Sequence, residues 1–107
     1  MGHATPHLRI EPTADGFRVE GEVDLSNAHL LTEALAGAAS SPGDLVLDVA
    51  GLAFMDSTGI QILIRAGKAM PPGQSLVVRH PGPLVLNLLK LIRADRMPGL
   101  RIVEGSD

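Results

Sequence analysis

The first thirty residues already alternate between two periods. Leu8 and Ile10 are interleaved with Arg9 and Glu11, the period-two signature of a strand with one buried face. Pro12 to Gly16 reads as a turn, after which Phe17, Val19, Gly21 and Val23 alternate with Arg18, Glu20 and Glu22. The two runs predict an antiparallel hairpin. The period then lengthens. Ala28, Leu31, Leu35 and Ala38 fall on one face of a helix that runs to about Ala39, with Thr32 and Glu33 turned away and Asp24 or Ser26 available as its cap. Ser40 to Gly43 breaks it.

Leu45-Val46-Leu47 is a continuous apolar run, as expected of a strand buried on both faces. Gly51 to Asp56 reads as a connection. A second helix is predicted from Ser57 to about Met70, stopped by Pro71-Pro72-Gly73. Past its first turn its only polar positions are Gln61, Arg65 and Lys68, one narrow wet stripe that predicts a central, mostly buried helix. Leu76-Val77-Val78 gives another strand. Pro83 suits the first position of a third helix with Val85, Leu88, Leu89 and Ile92 on one face. Leu100, Ile102 and Val103 supply an edge strand. Residues 1–6 are read as a disordered lead-in and 7–107 as one domain. The order implies an α/β fold with a mostly parallel sheet of about five strands, an N-terminal antiparallel hairpin and three to four helices.

Composition narrows the chemistry. Of 107 residues 45% are hydrophobic, and Phe17 and Phe54 are the only aromatics, so the core is aliphatic and no stacking platform for bases is available. A net charge of −3 with nine scattered basic residues leaves no footprint for a phosphate backbone. The absence of cysteine excludes disulfides, thiolate metal sites and cysteine nucleophiles. His3, His7, His29 and His80 have no metal-ligand spacing on a helix, so no metal is expected. No apolar run reaches the length of a membrane span, and the N-terminus lacks the pattern of a signal peptide, so a cytosolic location is expected.

The informative segment is Leu47 to Ile64, in which a buried strand leads into Asp56-Ser57-Thr58-Gly59 and a helix. Ser57 stands where an N-cap is wanted, beside unpaired backbone N–H groups, and Gly59 removes a side chain that would crowd it. A phosphate there would meet those N–H groups and the positive end of the helix dipole. The same four residues are also ordinary helix-start chemistry.

The segment resembles the signature of STAS domains in anti-sigma factor antagonists, an Asp-Ser-Ser/Thr-Gly-Leu/Ile turn after a buried strand. Gly21-Glu22-Val23-Asp24-Leu25-Ser26-Asn27-Ala28 resembles the family's second block, and the likeness extends over roughly residues 8–104. It implies a STAS-like fold and a protein that is not an enzyme. It also implies that Ser57 is phosphorylated by a GHKL-type serine-kinase anti-sigma factor. The unphosphorylated form would bind that kinase and free the sigma factor, and a phosphatase would reset it. ATP would belong to the kinase, so no cofactor is expected. Asp24, Ser26, Asn27, Asp56, Ser57, Thr58 and Gly59 are the implied partner-binding residues, with Asp24 equally readable as a helix cap. A monomer or weak dimer is expected.

Other readings fit less well. Asp48 superficially matches the phosphoacceptor of a receiver domain, but a hairpin stands where receivers need an acidic pair. Thr58 interrupts an aspartic-protease triplet, Ser57 lacks a Gly-x-Ser-x-Gly elbow, and nothing in the sequence brings His80 to it as a base. A STAS accessory subunit without a serine switch, as in a lipid-transport complex or a stressosome-like scaffold, remains as the alternative.

Overall fold

Among the described residues a single sheet of seven strands carries the helices on one of its faces. The structure, a computed structural model, describes residues 3–5, 7–38 and 41–105. β1 (His3–Thr5), β2 (Leu8–Thr13) and β3 (Gly16–Val23) form an antiparallel ribbon. β4 (Leu45–Asp48), β6 (Leu76–Arg79) and β7 (Leu100–Val103) continue the sheet in parallel from β3, and β5 (Leu52–Met55) also pairs with β3. The helices among the described residues are α1 (Ala28–Gly37), α2 (Ser57–Lys68) and α3 (Pro83–Leu91), with a short 3₁₀ turn (Ala94–Arg96).

The hairpin, the parallel sheet and the three helices are those the periodicity predicts. Four details differ. The lead-in expected over residues 1–6 is at His3–Thr5 a strand, pairing with the outer edge that Leu8–Ile10 leaves open. The connection expected from Gly51 to Asp56 contains β5, parallel to the last residues of β3 with Val23 opposite Met55. Because β2 occupies one edge of β3 from Gly16 to Gly21, β4 and β5 share the other and run in line along it. The β3–β5 register shifts between Gly21 and Glu22, and Gly21 itself sits at φ +102°; a Cβ there would lie 2.2 Å from the His7 carbonyl oxygen, so glycine alone fits.

The third difference is the burial of β4. Leu45 and Leu47 enter the core while Val46 and Asp48 are half-buried on the other side, so the strand is covered by helices on one face only. That open face is kept soluble by charge. Glu11, Arg18, Asp48 and Arg79 stand opposite one another across β2, β3, β4 and β6, an alternating row, and Arg9 pairs with Glu20 beside it. The fourth is α2. Gly59, Ile60, Leu63 and Gly67 are buried, but Ile62, Ile64, Ala66 and Met70 are half-covered, so the helix lies on the core rather than through it.

Candidate functional site

The two motif blocks meet at one end of the sheet. Met55 is the register partner of Val23, and the Asp56 N–H donates to the Val23 carbonyl at 3.1 Å. The start of α2 is thereby fixed beside the turn that follows β3. Both parallel strands end here at their carboxyl ends, where open α/β sheets place their functional loops.

Asp56, not Ser57, is the N-cap of α2. The chain leaves β5 extended, so residue 56 (φ −93°, ψ −172°) is the last non-helical one. Its Oδ1 accepts from Thr58 N–H at 2.9 Å and Gly59 N–H at 3.4 Å. A carboxylate makes stronger bonds to these amides than a hydroxyl and adds its charge to the positive helix end. The cap expected at Ser57 is therefore moved one residue back. Ser57 is the first helical residue, exposed, with its hydroxyl free of any cap bond. Thr58 is half-buried. Gly59 is buried, and its missing side chain serves the core: a Cβ would lie 2.4 Å from Met55 Cγ. It is not itself presented to a partner.

The second block is a tied turn. The Asp24 carboxylate accepts from the Ser26 hydroxyl at 2.6 Å and the Ser26 N–H at 2.9 Å, and the Asp24 carbonyl accepts from Ala28 N–H at 2.9 Å. The Ser26 hydroxyl bond, then the Ser26 amide, hold the Asp24 carboxyl below its ordinary pKa. The helix starts later than Asp24 or Ser26 would set it, with Asn27 in the cap position but making no side-chain cap bond. Asn27 turns inward instead. Only 3% exposed, it accepts from Asp24 N–H at 3.0 Å and donates from Nδ2 to the Glu22 carbonyl at 3.0 Å. Its place is in the scaffold of the turn, so it presents no side chain to a partner.

Sequence reasoning did not anticipate the surface around Ser57. With Phe54, Ile60, Leu84, Asn87 and Leu91, Ser57 lines an apolar groove of about 510 Å³ between the start of α2 and α3. Phe54 is 40%, Leu84 55% and Leu91 81% exposed, and Leu25, 79% exposed, stands in the neighbouring turn between Asp24 and Ser26. The pattern signal existed: Leu84 and Leu91 lie off the Val85–Leu89 face of α3, where a solvated helix would carry polar residues.

Elsewhere the candidate chemistry is structural. The Asp48 carboxylate accepts from Ala50 N–H at 3.1 Å and lies 3.9 Å from His80 Nδ1, on the open side of the sheet. Among the described residues no group of three or more acids and histidines is gathered that could hold a metal ion, and no helix is long and apolar enough to cross a membrane.

The family profile described as Mlab, STAS domain, matches residues 7–104, and the chain belongs to that STAS family. The crystal structure of an anti-sigma factor antagonist from Mycobacterium paratuberculosis superposes with a TM-score of 0.72 at 25% identity, over 92% of this chain and 90% of that one. The anti-sigma factor antagonist SpoIIAA in its unphosphorylated form shares the fold with a TM-score of 0.72 at 15% identity, over 94% of this chain and 89% of that one. A Mycobacterium tuberculosis protein, Rv2638, described as a candidate anti-anti-sigma factor, is 42% identical over 60 residues, 47% of this chain. The match spans 40% of that relative's length.

Proposed function

We propose that this chain is an anti-sigma factor antagonist working as a cytoplasmic partner switch. Unphosphorylated, it docks on a GHKL-type serine-kinase anti-sigma factor and frees the sigma factor; the kinase phosphorylates Ser57, docking ends, and a phosphatase resets the site. One observation carries the reading. Of the four large hydrophobic side chains that stand exposed among the described residues, Phe54, Leu84 and Leu91 line one groove with Ser57, and Leu25 stands in the turn after β3, whose last residue Val23 is tied to Asp56. Exposed apolar side chains grouped around one accessible hydroxyl are what a protein-docking surface with a switch at its centre requires.

The charge arithmetic fits release. A phosphoserine brings close to two negative charges next to Asp56, whose carboxylate is already committed to the helix amides. Two unit charges roughly 6 Å apart repel by about 0.7 kcal/mol in water and about 3 kcal/mol at an effective dielectric of ~20. In the free protein water screens the repulsion, and the helix end returns up to ~2 kcal/mol. In the complex water is displaced by apolar side chains, so the penalty falls on binding, and each ~1.4 kcal/mol is a decade of affinity.

The test is direct. A cognate GHKL-type serine kinase, with ATP, should add one phosphate, located at Ser57 by peptide mass mapping. Ser57→Asp should weaken kinase binding ten-fold or more while Ser57→Ala preserves it. Phosphate on another residue, or equal affinities of the two variants, would remove the switch. Membership of the STAS family is equally compatible with a second reading, a STAS subunit that docks through the same surface without a switch. In that case the partner binds Ser57→Asp and Ser57→Ala alike, and no kinase co-purifies.

A further inference from the structure

The pair α1–α2 does not close along its length. Away from Ser57, toward the C-terminal half of α2, a groove of about 250 Å³ opens between the helices, lined by Leu35 and Ala36 of α1, Leu45 of β4, and Ile62, Ala66 and Met70. Its cause is readable in the residues: Ala36 and Ala66 put single methyls where larger side chains would fill the gap. A half-open apolar groove of this kind leaves aliphatic side chains facing water and can be covered by one flexible chain.

One charged side chain lines the groove, and it is a cation. Arg65 is exposed at its rim. None of the ion pairs among the described residues uses it. Lys68, one turn later on α2, also takes part in none of those ion pairs but lies outside the groove lining, so Arg65 is the charge the groove presents. An anionic head group would gain a charge-assisted hydrogen bond to this guanidinium that a neutral or cationic amphiphile would not.

We propose that this groove binds a free medium-chain carboxylate, with the alkyl tail between α1 and α2 and the carboxylate on Arg65. Capacity sets the length. At about 25 Å³ per carbon, the ratio at which a cavity of ~150 Å³ takes benzene, the groove accommodates roughly ten carbons. The site is separate from the proposed docking surface. Arg65 is eight residues along α2 from Ser57, about 12 Å at 1.5 Å per residue, so the inference does not rest on the switch.

The experiment is a titration of the full chain with hexanoate, octanoate, decanoate and decanol, followed by ¹H–¹⁵N spectra and calorimetry. Decanoate should bind with a dissociation constant below about 1 mM, shifting the amides of Ala36, Ile62 and Ala66, and affinity should rise about two- to four-fold per methylene up to decanoate. Arg65→Gln should weaken decanoate about five-fold or more and leave decanol unchanged. Ala66→Leu should abolish both by filling the slot. Should that variant fold poorly, Ala69→Leu on the exposed rim gives the same reading, with the melting temperature as control. Ser57→Asp should bind decanoate as the wild type does. Absence of saturable binding overturns the proposal, as do shifts confined to Phe54, Leu84 and Leu91, or equal loss of decanoate and decanol in Arg65→Gln. So does a groove closed by a second copy, seen as concentration-dependent dimerisation that Ala66→Leu removes.

Discussion

Asp24 and Asn27 are three residues apart, and their side chains do different work. Asn27 is buried and holds two backbone groups, Asp24 N–H and the Glu22 carbonyl. Truncating it leaves both without their partner inside the turn, which costs about 1–3 kcal/mol. Asn27→Ala should therefore lower the unfolding free energy by that amount, measured by urea melts. Asp24 acts at the surface through Ser26. Because its carboxyl is held below the ordinary value, the charged form is favoured in the folded state. The stabilisation is present above the unfolded pKa and is lost as pH falls through the folded one. Ser26→Ala removes the largest cause, so the Asp24 carboxyl resonance in a ¹³C NMR titration should move its midpoint up toward the usual aspartate range; an unchanged midpoint would contradict the turn geometry. From the sequence Asp24 reads as either a cap or a contact, and Asn27 as an implied partner contact. The inward bonds of Asn27 depend on the Glu22 carbonyl, exposed by the strand's end, which no local pattern reports.

At the scale of elements, α2 and β5 explain both what was readable and what was not. The apolar period places α2 correctly from Ser57, because Asp56-Ser57-Thr58-Gly59 is strong start chemistry. It does not say which of two adjacent polar residues caps. The extended geometry that β5 imposes on Asp56 decides that, and β5 itself is hidden because its burial does not alternate: Leu52 and Met55 are inside, Ala53 and Phe54 outside. Phe54 is outside because it lines the groove beside Ser57. The cap assignment predicts an asymmetry between neighbours. Asp56→Ala should lower stability by about 1 kcal/mol, some 4–8 °C in melting temperature for a domain near this size, whereas Ser57→Ala should change it little. Gly59→Ala, overpacked against Met55 and Val23, should cost about 1–3 kcal/mol without touching the exposed hydroxyl. Equal losses at Asp56 and Ser57 would return the cap to the serine.

Across the whole molecule the two faces of the sheet are managed by opposite means. The open face carries its alternating row of Glu11, Arg18, Asp48 and Arg79, while the helical side leaves Leu84 and Leu91 in water beside Ser57. A side chain that is 81% exposed contributes little to folding, since it removes little apolar area from solvent. Its worth lies in what it buries later. Leu91→Ser should therefore shift the unfolding free energy by no more than about 0.5 kcal/mol, within the ordinary range of surface changes. The same substitution should weaken partner binding by about 1–3 kcal/mol, or five- to more than a hundred-fold, if Leu91 is covered in the complex. Arg18→Ser on the open face is the matched control and should change neither greatly. Because the proposed docking surface is apolar, affinity of the unphosphorylated form should depend only weakly on salt, whereas the loss caused by Ser57→Asp should shrink as salt screens the charge. Isothermal titration at two ionic strengths separates these terms. A steep salt dependence of the wild-type complex, with Leu91→Ser binding normally, would place the partner on the charged face instead.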